Sequence, residues 1–345
     1  MQVVYVFKKI PHHANHSGYD RLAYYVDSYH YKPGKIACFL KCGFEKKIAS
    51  LKRVNYTWYK PESFAIEMEI IVRQHFVKET VFHFLYGEDA YRYSHRRIFR
   101  RKNRIVVSFH QPESTFFEPF TKEDIPLLKK IDRIVAVGNR QGDFLRNLVG
   151  NEEKVVVIPH GIDVDFYKPR EMRKEGEFFE TISVGWWLRD VDMMKEVIEK
   201  LNSENLKIRF NIVTFDWCFK YYEGLKNVRL FSNIKDEELL KLYQKSDILL
   251  LPLKDCTANN AVLEAMACGL PIFTTDVGDI FDYCGDDNGV FAKPGDSDYL
   301  VDAIKRFYKE REKLKIMGAK SRERALNFRW ENVARMCMSL YRGLY

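Results

Sequence analysis

Residues Ile248–Pro271, ILLLPLKDCTANNAVLEAMACGLP, constrain the fold more tightly than any other stretch of the 345-residue chain. Ile248 to Pro252 is an apolar run bounded by Asp247 and by the polar pair Lys254-Asp255, the pattern of a buried strand. The polar run Thr257-Ala258-Asn259-Asn260 can cap a helix, and Ala261–Cys268 then carries one carboxylate, Glu264, among apolar neighbours. Gly269-Leu270-Pro271 stops that helix. A strand that runs through a small-residue loop onto a helix N-terminus aims backbone N–H groups at one point, which suits a phosphate. Glu264, about one turn inside the helix, is placed to accept hydrogen bonds from sugar hydroxyls beside that phosphate. The segment alone is also compatible with an ordinary βα unit carrying a surface glutamate.

The rest of the chain repeats the βα alternation, which predicts an α/β protein with parallel sheets. Expected strands are Val3–Phe7, Val81–Tyr86, Ile105–Phe109, Arg133–Val137 and Val155–Ile158, then Thr181–Val184, Lys207–Thr214, Val228–Phe231, Ile248–Leu253 and Ile272–Thr275. Met193–Leu201, Glu237–Gln244 and Tyr299–Tyr308 have helical apolar spacing. One long charged helix is expected over Ser297–Ala325, followed by the amphipathic tail FRWENVARMCMSLYRGLY. The turn-rich GIDVDFYKP at 161–169 marks a boundary between two Rossmann-like halves. The expected division is residues 1–165, completed by 328–345, and residues 166–327. A chain of 345 residues fits two domains of ordinary size.

Composition excludes several classes. With 46% apolar and 30% charged residues the chain reads as globular, and no apolar run approaches the roughly 20 residues that span a bilayer. VVYVFKKI near the start is too short for a signal-peptide core and reads as the first strand. Seven cysteines without framework spacing suit a reducing cytoplasm. Cys38 and Cys42 have no second CxxC, which argues against zinc. The net charge of +8 is uneven: residues 1–160 hold 27 Lys+Arg against 17 Asp+Glu, and the remainder holds 29 against 31. The surplus peaks at His95–Arg104, HRRIFRRKNR. It reads either as a solvated basic face or, through Arg96–Arg104, as a patch for an anionic membrane surface or lipid-linked phosphate. Nucleic acid is not expected, because no binding motif accompanies the patch.

Several blocks in order resemble the family 4 glycosyltransferases, which have the GT-B architecture. LEAMACGLP resembles the family's signature, in which two glutamates stand eight positions apart. Glu264 falls on the second, which in the family holds the ribose of the nucleotide. The first would fall on Cys256, flanked by Asp255 and Thr257, so Asp255 or the backbone amides of Thr257–Asn260 are left to take its place. KVVVIPHGIDVDFYKP is similar to the family's interdomain linker, and NVRLFSNIKDEELLKLYQKSDILLLPL to the elements before the signature. FRWENVARMCMSLYRGLY is similar to its C-terminal helix, which crosses back to the first domain. The resemblance implies two Rossmann-like domains facing a cleft, with Gly18, Gly185, Asp255, Cys256, Thr257, Ala258, Asn259, Asn260 and Glu264 on the donor side.

Sugar transfer from a nucleotide diphosphate needs a grip on the nucleotide, positive charge for the departing diphosphate, and an oriented acceptor hydroxyl. ISVGWWLRD places Arg189 at the C-terminal edge of the first strand of the second half, where ligands dock in open α/β sheets. Its guanidinium can fork onto phosphate oxygens, or pair with Asp190 or Asp192. Family members place an arginine and a lysine after this glycine; here Trp186 and Trp187 stand in the near positions. In KKIPHHANHSGYDRLA, Gly18 looks like the family's glycine loop. His12, His13 and His16 form HHxxH, read as a polar loop beside the acceptor rather than a metal site. His110 ends the strand IVVSFH; the family has a histidine in such a position, contacting the donor sugar near the reacting carbon. Glu88 and Asp89 close VFHFLY in the same way and are candidates for acceptor contact. His160 reads as structural.

The sequence therefore predicts a cytoplasmic, metal-independent, retaining glycosyltransferase, peripheral at the inner membrane face. His110, Arg189 and Glu264 would be its catalytic residues. It would have no cofactor beyond a UDP- or GDP-sugar co-substrate, and a glycan or lipid-linked acceptor in envelope polysaccharide or glycoconjugate synthesis. The alternative is a catalytically weak nucleotide-sugar-binding scaffold or regulator of another transferase.

Overall fold

The computed structural model describes residues 1–8, 16–26, 29–30, 59–94, 102–170, 176–204 and 206–345. Their contacts divide into two units. The first is Met1–His13, Tyr19–His160 and Trp330–Tyr345, and the second is Ala14–Gly18 with Gly161–Arg329.

In the first unit the strands are β1 (Gln2–Val6), β2 (Tyr29–His30), β3 (Thr80–Phe84), β4 (Arg104–Phe109), β5 (Arg133–Ala136) and β6 (Val155–Val157). They form one parallel sheet in the order β2-β1-β3-β4-β5-β6. Every residue of β3 is buried, as a parallel strand covered on both faces requires. The chain leaves β1 towards β2 and returns to β3 on the other side. The loops after β1 and β3 therefore flank the point where strand order reverses, the usual ligand position in such sheets. Among the described residues of this unit up to residue 160, two helices are long, α1 (Pro61–Arg73) and α2 (Asn139–Val149). The run after Gly18 is a 3-10 segment, Tyr19–Tyr24, rather than an α-helix.

The second unit holds β7 (Phe179–Val184), β8 (Ile208–Val213), β9 (Val228–Phe231), β10 (Ile248–Leu251), β11 (Ile272–Thr275) and β12 (Gly289–Ala292). The parallel order is β12-β11-β10-β7-β8-β9, which puts the reversal between β7 and β10. Its main helices are α3 (Val191–Ser203), α4 (Asp236–Lys245), α5 (Asn260–Ala267), α6 (Ser297–Lys309) and α7 (Arg311–Asn327). Alternate residues of β10 serve different cores. Leu249 and Leu251 pack with Tyr243, Val262 and Met266, while Ile248 and Leu250 pack with Met194, Val197 and Ile304. Helices α4 and α5 thus cover one face of the sheet, and α3 and α6 the other.

The long charged helix expected over Ser297–Ala325 is two helices. Glu310, at φ −113 and ψ 47, interrupts it. The buried stripe of α6 ends at Phe307, and four residues on, where a continued helix would bury a side chain, the sequence has Arg311. Burial resumes at Leu314, and Gly318 packs against the Gly269 turn, where a Cβ would lie 2.2 Å from the Gly269 carbonyl oxygen. Of the four edge strands, β6 and β9 match expected strands, whereas β2 and β12 are not expected from the sequence.

The tail forms α8 (Trp330–Arg342), which belongs to the first unit. It buries Trp330, Val333, Ala334, Cys337 and Tyr341 at helical spacing. Tyr341 lies 2.5 Å from His83 Nδ1, and its hydroxyl donates to Tyr5 Oη at 3.1 Å. His83 Nε2 pairs with Ser108 Oγ at 2.8 Å, and burial drops the imidazole pKa to about 3. This chain of hydroxyls and a neutral histidine pins α8 across β1, β3 and β4.

Candidate functional site

In the second unit the reversal between β7 and β10 is built from two loops tied together. Asp190 N–H donates to the Pro252 carbonyl at 2.9 Å, and Lys254 N–H to the Leu188 carbonyl at 2.9 Å. Gly185, at φ +93, opens the first loop, and a Cβ there would stand 2.7 Å from Arg189 Nη2. Only glycine lets Arg189 fold back so closely. The guanidinium donates from Nε and Nη2 to the Val184 carbonyl at 3.0 and 2.8 Å and from Nη1 to the Trp187 carbonyl at 2.9 Å. A longer contact, 3.5 Å, runs from Nη2 to Asn259 Oδ1.

These bonds correct the expected fork on phosphate. Four of the five N–H groups of Arg189 already have acceptors, so the residue offers charge more than two parallel donors. Burial pulls its pKa down to about 10, which leaves it cationic at neutral pH. Among the described residues it forms no ion pair, with Asp190, Asp192 or any other carboxylate.

Asn259 caps α5, its side-chain oxygen accepting the N–H groups of Ala261 and Val262 at 3.1 and 3.4 Å. The cap leaves the preceding amides, Ala258 to Asn260, outside the helix's own ladder. At the other end Leu270 N–H reaches Ala265 O and Gly269 N–H reaches Met266 O, both at 2.9 Å, with Gly269 at φ +76. This is a Schellman stop. Cys256 departs from the expected donor loop. Its thiol is buried and points to the Val277 carbonyl at 3.4 Å, and burial pushes its pKa up to about 12. The Cys256 side chain therefore faces the core, and Asp255, half-buried beside it, is the carboxylate left at the loop; it accepts the Cys256 N–H at 2.8 Å.

Glu264 lies under this loop, 4% exposed. Ser17 Oγ donates to Oε1, and Tyr243 Oη donates to Oε2 at 2.9 Å. The Tyr167 hydroxyl also bonds the carboxylate and sits 3.2 Å from Ser17 Oγ. Burial raises the Glu264 pKa to about 7, against the downward pull of these hydroxyls. Ser17 is held by its neighbour His16, whose ring stacks on Phe166 at 3.7 Å while Nδ1 meets Asp163 Oδ2 at 2.8 Å. Arg322 fastens the opposing strip, donating to the carbonyls of Tyr167, Ala267 and Val164 at 2.9, 2.8 and 3.0 Å. The segment His16–Gly18, with Gly18 at φ +98, is therefore packed against the Glu264 carboxylate. Ser17, Tyr167 and Tyr243 carry no sequence signal, because their hydroxyl partners stand 247, 150 and 21 positions away along the chain and meet them only after folding.

The first unit gathers His110, Glu88 and Asp89 at its own reversal. Glu88 is 3% exposed, and its Oε1 accepts the backbone N–H groups of His110 and, at 2.8 Å, Gln111. Glu88 thus shapes the loop after β4 instead of standing open to an acceptor. His110 Nε2 meets the Leu85 carbonyl at 2.8 Å, which fixes Nε2 as the protonated nitrogen and Nδ1 as the basic one. Burial lowers the His110 pKa, with Glu88 opposing, so the ring is neutral near pH 7. Asp89 pairs with Lys8 at 2.8 Å, bridging the loops after β3 and β1. Arg92, 4% exposed, braces the same loop through the carbonyls of Tyr91 and Pro119 at 2.6 and 2.7 Å. His12 and His13, like Cys38, Cys42 and Arg96–Arg101, lie outside the described residues. Among the described residues no group of three or more metal-binding side chains occurs. No helix among them is long and apolar enough to cross a membrane.

Two parallel α/β units, each with its charged groups at the strand-order reversal, define the GT-B class. Solved GT-B structures share the fold. HepE from Anabaena, in complex with UDP, superposes with a TM-score of 0.67 at 14% identity, covering 99% of this chain and 100% of that one. A mutant of S. aureus TarM, in complex with fondaparinux, alpha-GlcNAc-glycerol and UDP, gives a TM-score of 0.67 at 15% identity over 82% of this chain and 59% of that one. By sequence, residues 44–166 match the family described as Glycosyltransferase Family 4, and residues 182–310 match Glycosyl transferases group 1. The chain belongs to this family of glycosyltransferases. A mannosyltransferase of Mycolicibacterium hassiacum, described as MMP alpha-(1->4)-mannosyltransferase, is 24% identical over 225 residues, 62% of this chain and 54% of that protein. The sulfoquinovosyl transferase of Arabidopsis thaliana is 25% identical over 146 residues, 41% of this chain. The chain spans about half of the first relative and 28% of the second.

Proposed function

We propose that this protein transfers a glycosyl group from a nucleotide-diphosphate sugar, UDP- or GDP-linked, to a hydroxyl of a glycan or lipid-linked glycan, with retention of configuration and without a metal ion. The observation that carries the reading is the pair of tied loops at the β7–β10 reversal. They set a cation with no carboxylate partner among the described residues, Arg189, beside the N-terminus of α5. That combination attracts a diphosphate through charge and helix dipole together. Glu264, at the base of the same helix, is a buried acceptor for the ribose hydroxyls. The amides of Ala258–Asn260 and the Asp255 carboxylate take the place of the family's first glutamate at the sugar.

His110 acts on the other side of the reaction. Its role would be to help orient the donor sugar and to stabilise positive charge at the reacting carbon through its ring or its backbone, with Nε2 anchored on Leu85. The departing phosphate oxygen, rather than His110, would take the proton of the acceptor hydroxyl. Asp89 and His16 are secondary candidates for acceptor contact. The basic surplus of the first half supports contact with an anionic membrane surface.

The test is release of nucleoside diphosphate from UDP- and GDP-sugars with glycan and lipid-linked acceptors. Glu264→Ala should abolish release and weaken nucleotide binding by at least about tenfold, the loss of one well-placed hydrogen-bonded carboxylate. Tight nucleotide binding with no turnover on any acceptor would favour the scaffold instead. No binding of either nucleotide would refute both.

A further inference from the structure

Three of the five tryptophans stand together on the loops after β7 and β8. Trp186 meets Trp187 edge-on at 5.3 Å and Trp217 edge-on at 5.3 Å. Phe215 lies 6.2 Å from Trp186 and 6.2 Å from Trp217, nearly parallel to the latter at 12°. Rings that cost this much to solvate are normally buried, yet Trp186 is 39% and Trp217 49% exposed. Each brace is mutual, so the exposed faces are held in fixed orientation before any partner arrives. Binding to them costs little side-chain entropy. Asp216 holds the Trp217 amide at 2.8 Å, and the 3-10 segment Asp216–Tyr221 fixes its direction.

We propose that Trp186, Phe215 and Trp217 form a stacking platform for a sugar ring of an uncharged glycan chain. The occupant follows from where the platform stands. It shares the loop of Gly185 and Arg189, so it is continuous with the proposed diphosphate position. Glu264 and its hydroxyl partners lie on the face covered by α4 and α5. The loop carrying the platform instead runs on to Tyr222, which packs with Met193, Ile212 and α3 on the opposite face. On the donor reading, with the nucleoside at Glu264 and the diphosphate at Arg189, the saccharide is the part of the ligand that reaches the loop Arg189 shares with Trp186. The charged residues that follow Phe215 along the chain are mixed, Asp216 and Glu223 against Lys220 and Lys226. That is no match for a polyanion or an anionic bilayer, whereas the flat apolar C–H face of a pyranose fits an indole. The proposal uses the donor reading above only to choose between base and sugar.

Tryptophan fluorescence of the whole protein, titrated with neutral hexasaccharides of glucose, mannose and galactose in α and β linkage, reads the platform directly. At least one saccharide should quench saturably. Trp217→Ala should weaken that binding about tenfold and Trp217→Phe less than about threefold, while UDP or GDP affinity by calorimetry changes less than about twofold. Trp186→Ala, which keeps Trp217 as reporter, should weaken the saccharide in parallel. Saturation by none of the saccharides would overturn the proposal. So would loss of nucleotide affinity in Trp217→Ala, which would make the platform a base site, or Trp217-dependent sedimentation with phosphatidylserine vesicles. The donor reading fails separately, through unchanged nucleotide binding in Glu264→Ala, and the saccharide titration stands whichever way that falls.

Discussion

The buried carboxylate Glu264 makes a signed prediction about stability. Its pKa is raised from 4.5 to about 7 by burial. A carboxyl held above its unfolded value is bound to a proton in the folded protein while the unfolded chain has lost it. Folding stability must therefore fall as pH rises through that window, and stay low above it. Integrating the two titrations gives a loss of about 2–3 kcal/mol between about pH 5 and about pH 8. Glu264→Gln keeps the shape and removes the titration. Near pH 5 the variant and the parent should be similar in urea stability; near pH 8 the variant should be ahead by about 2–3 kcal/mol, in the transition of the second unit. Ser17, Tyr167 and Tyr243 can each turn their hydroxyl to suit an amide, so the variant keeps partners. Parallel stability curves for the two proteins across this range would refute the reasoning, because they would mean that the carboxylate is solvated or fully compensated. Greater stability at pH 8 alongside weaker nucleotide binding would identify Glu264 as a group retained at a cost to the fold.

Two further perturbations test the framework. Gly278 sits at φ +55 with a notional Cβ 1.8 Å from the Cys256 carbonyl oxygen, so Gly278→Ala should destabilise the second unit by about 3 kcal/mol or more, visible as a lowered melting transition. Tyr341→Phe strips His83 and Tyr5 of a shared partner inside the first unit. It should cost about 1–3 kcal/mol and raise hydrogen exchange across α8 while leaving the second unit's exchange unchanged.

Much of this protein was legible before folding. The central parallel strands of both sheets show as continuous apolar runs because both of their faces are covered; of the four edge strands, β6 and β9 are also legible and β2 and β12 are not. The α5 helix, its Asn259 cap and its Gly269 stop could be read because caps and stops depend on neighbours a few residues away. The same holds for Gly185 before Arg189 and for the helical stripe that becomes α8. The break at Glu310 was less legible: the charged run looks helical on both sides, and only the need to keep Arg311 out of the core interrupts it.

What the tertiary structure decided is how the chemistry-bearing groups are spent. Sequence placed Arg189 at a strand end, and the fold then committed most of its donors to carbonyls, leaving charge where a fork was expected. Sequence put Cys256 in the donor loop, and packing turned its thiol into the core. Glu88 became a bracket for the His110 backbone, and Glu264 acquired three hydroxyl partners from segments far apart in the chain. The physical reason is range. Periodicity, capping and turn chemistry act over a few residues and are written locally. Desolvation and hydrogen-bond partnership depend on which distant groups share a volume, and that exists only once the sheets have formed.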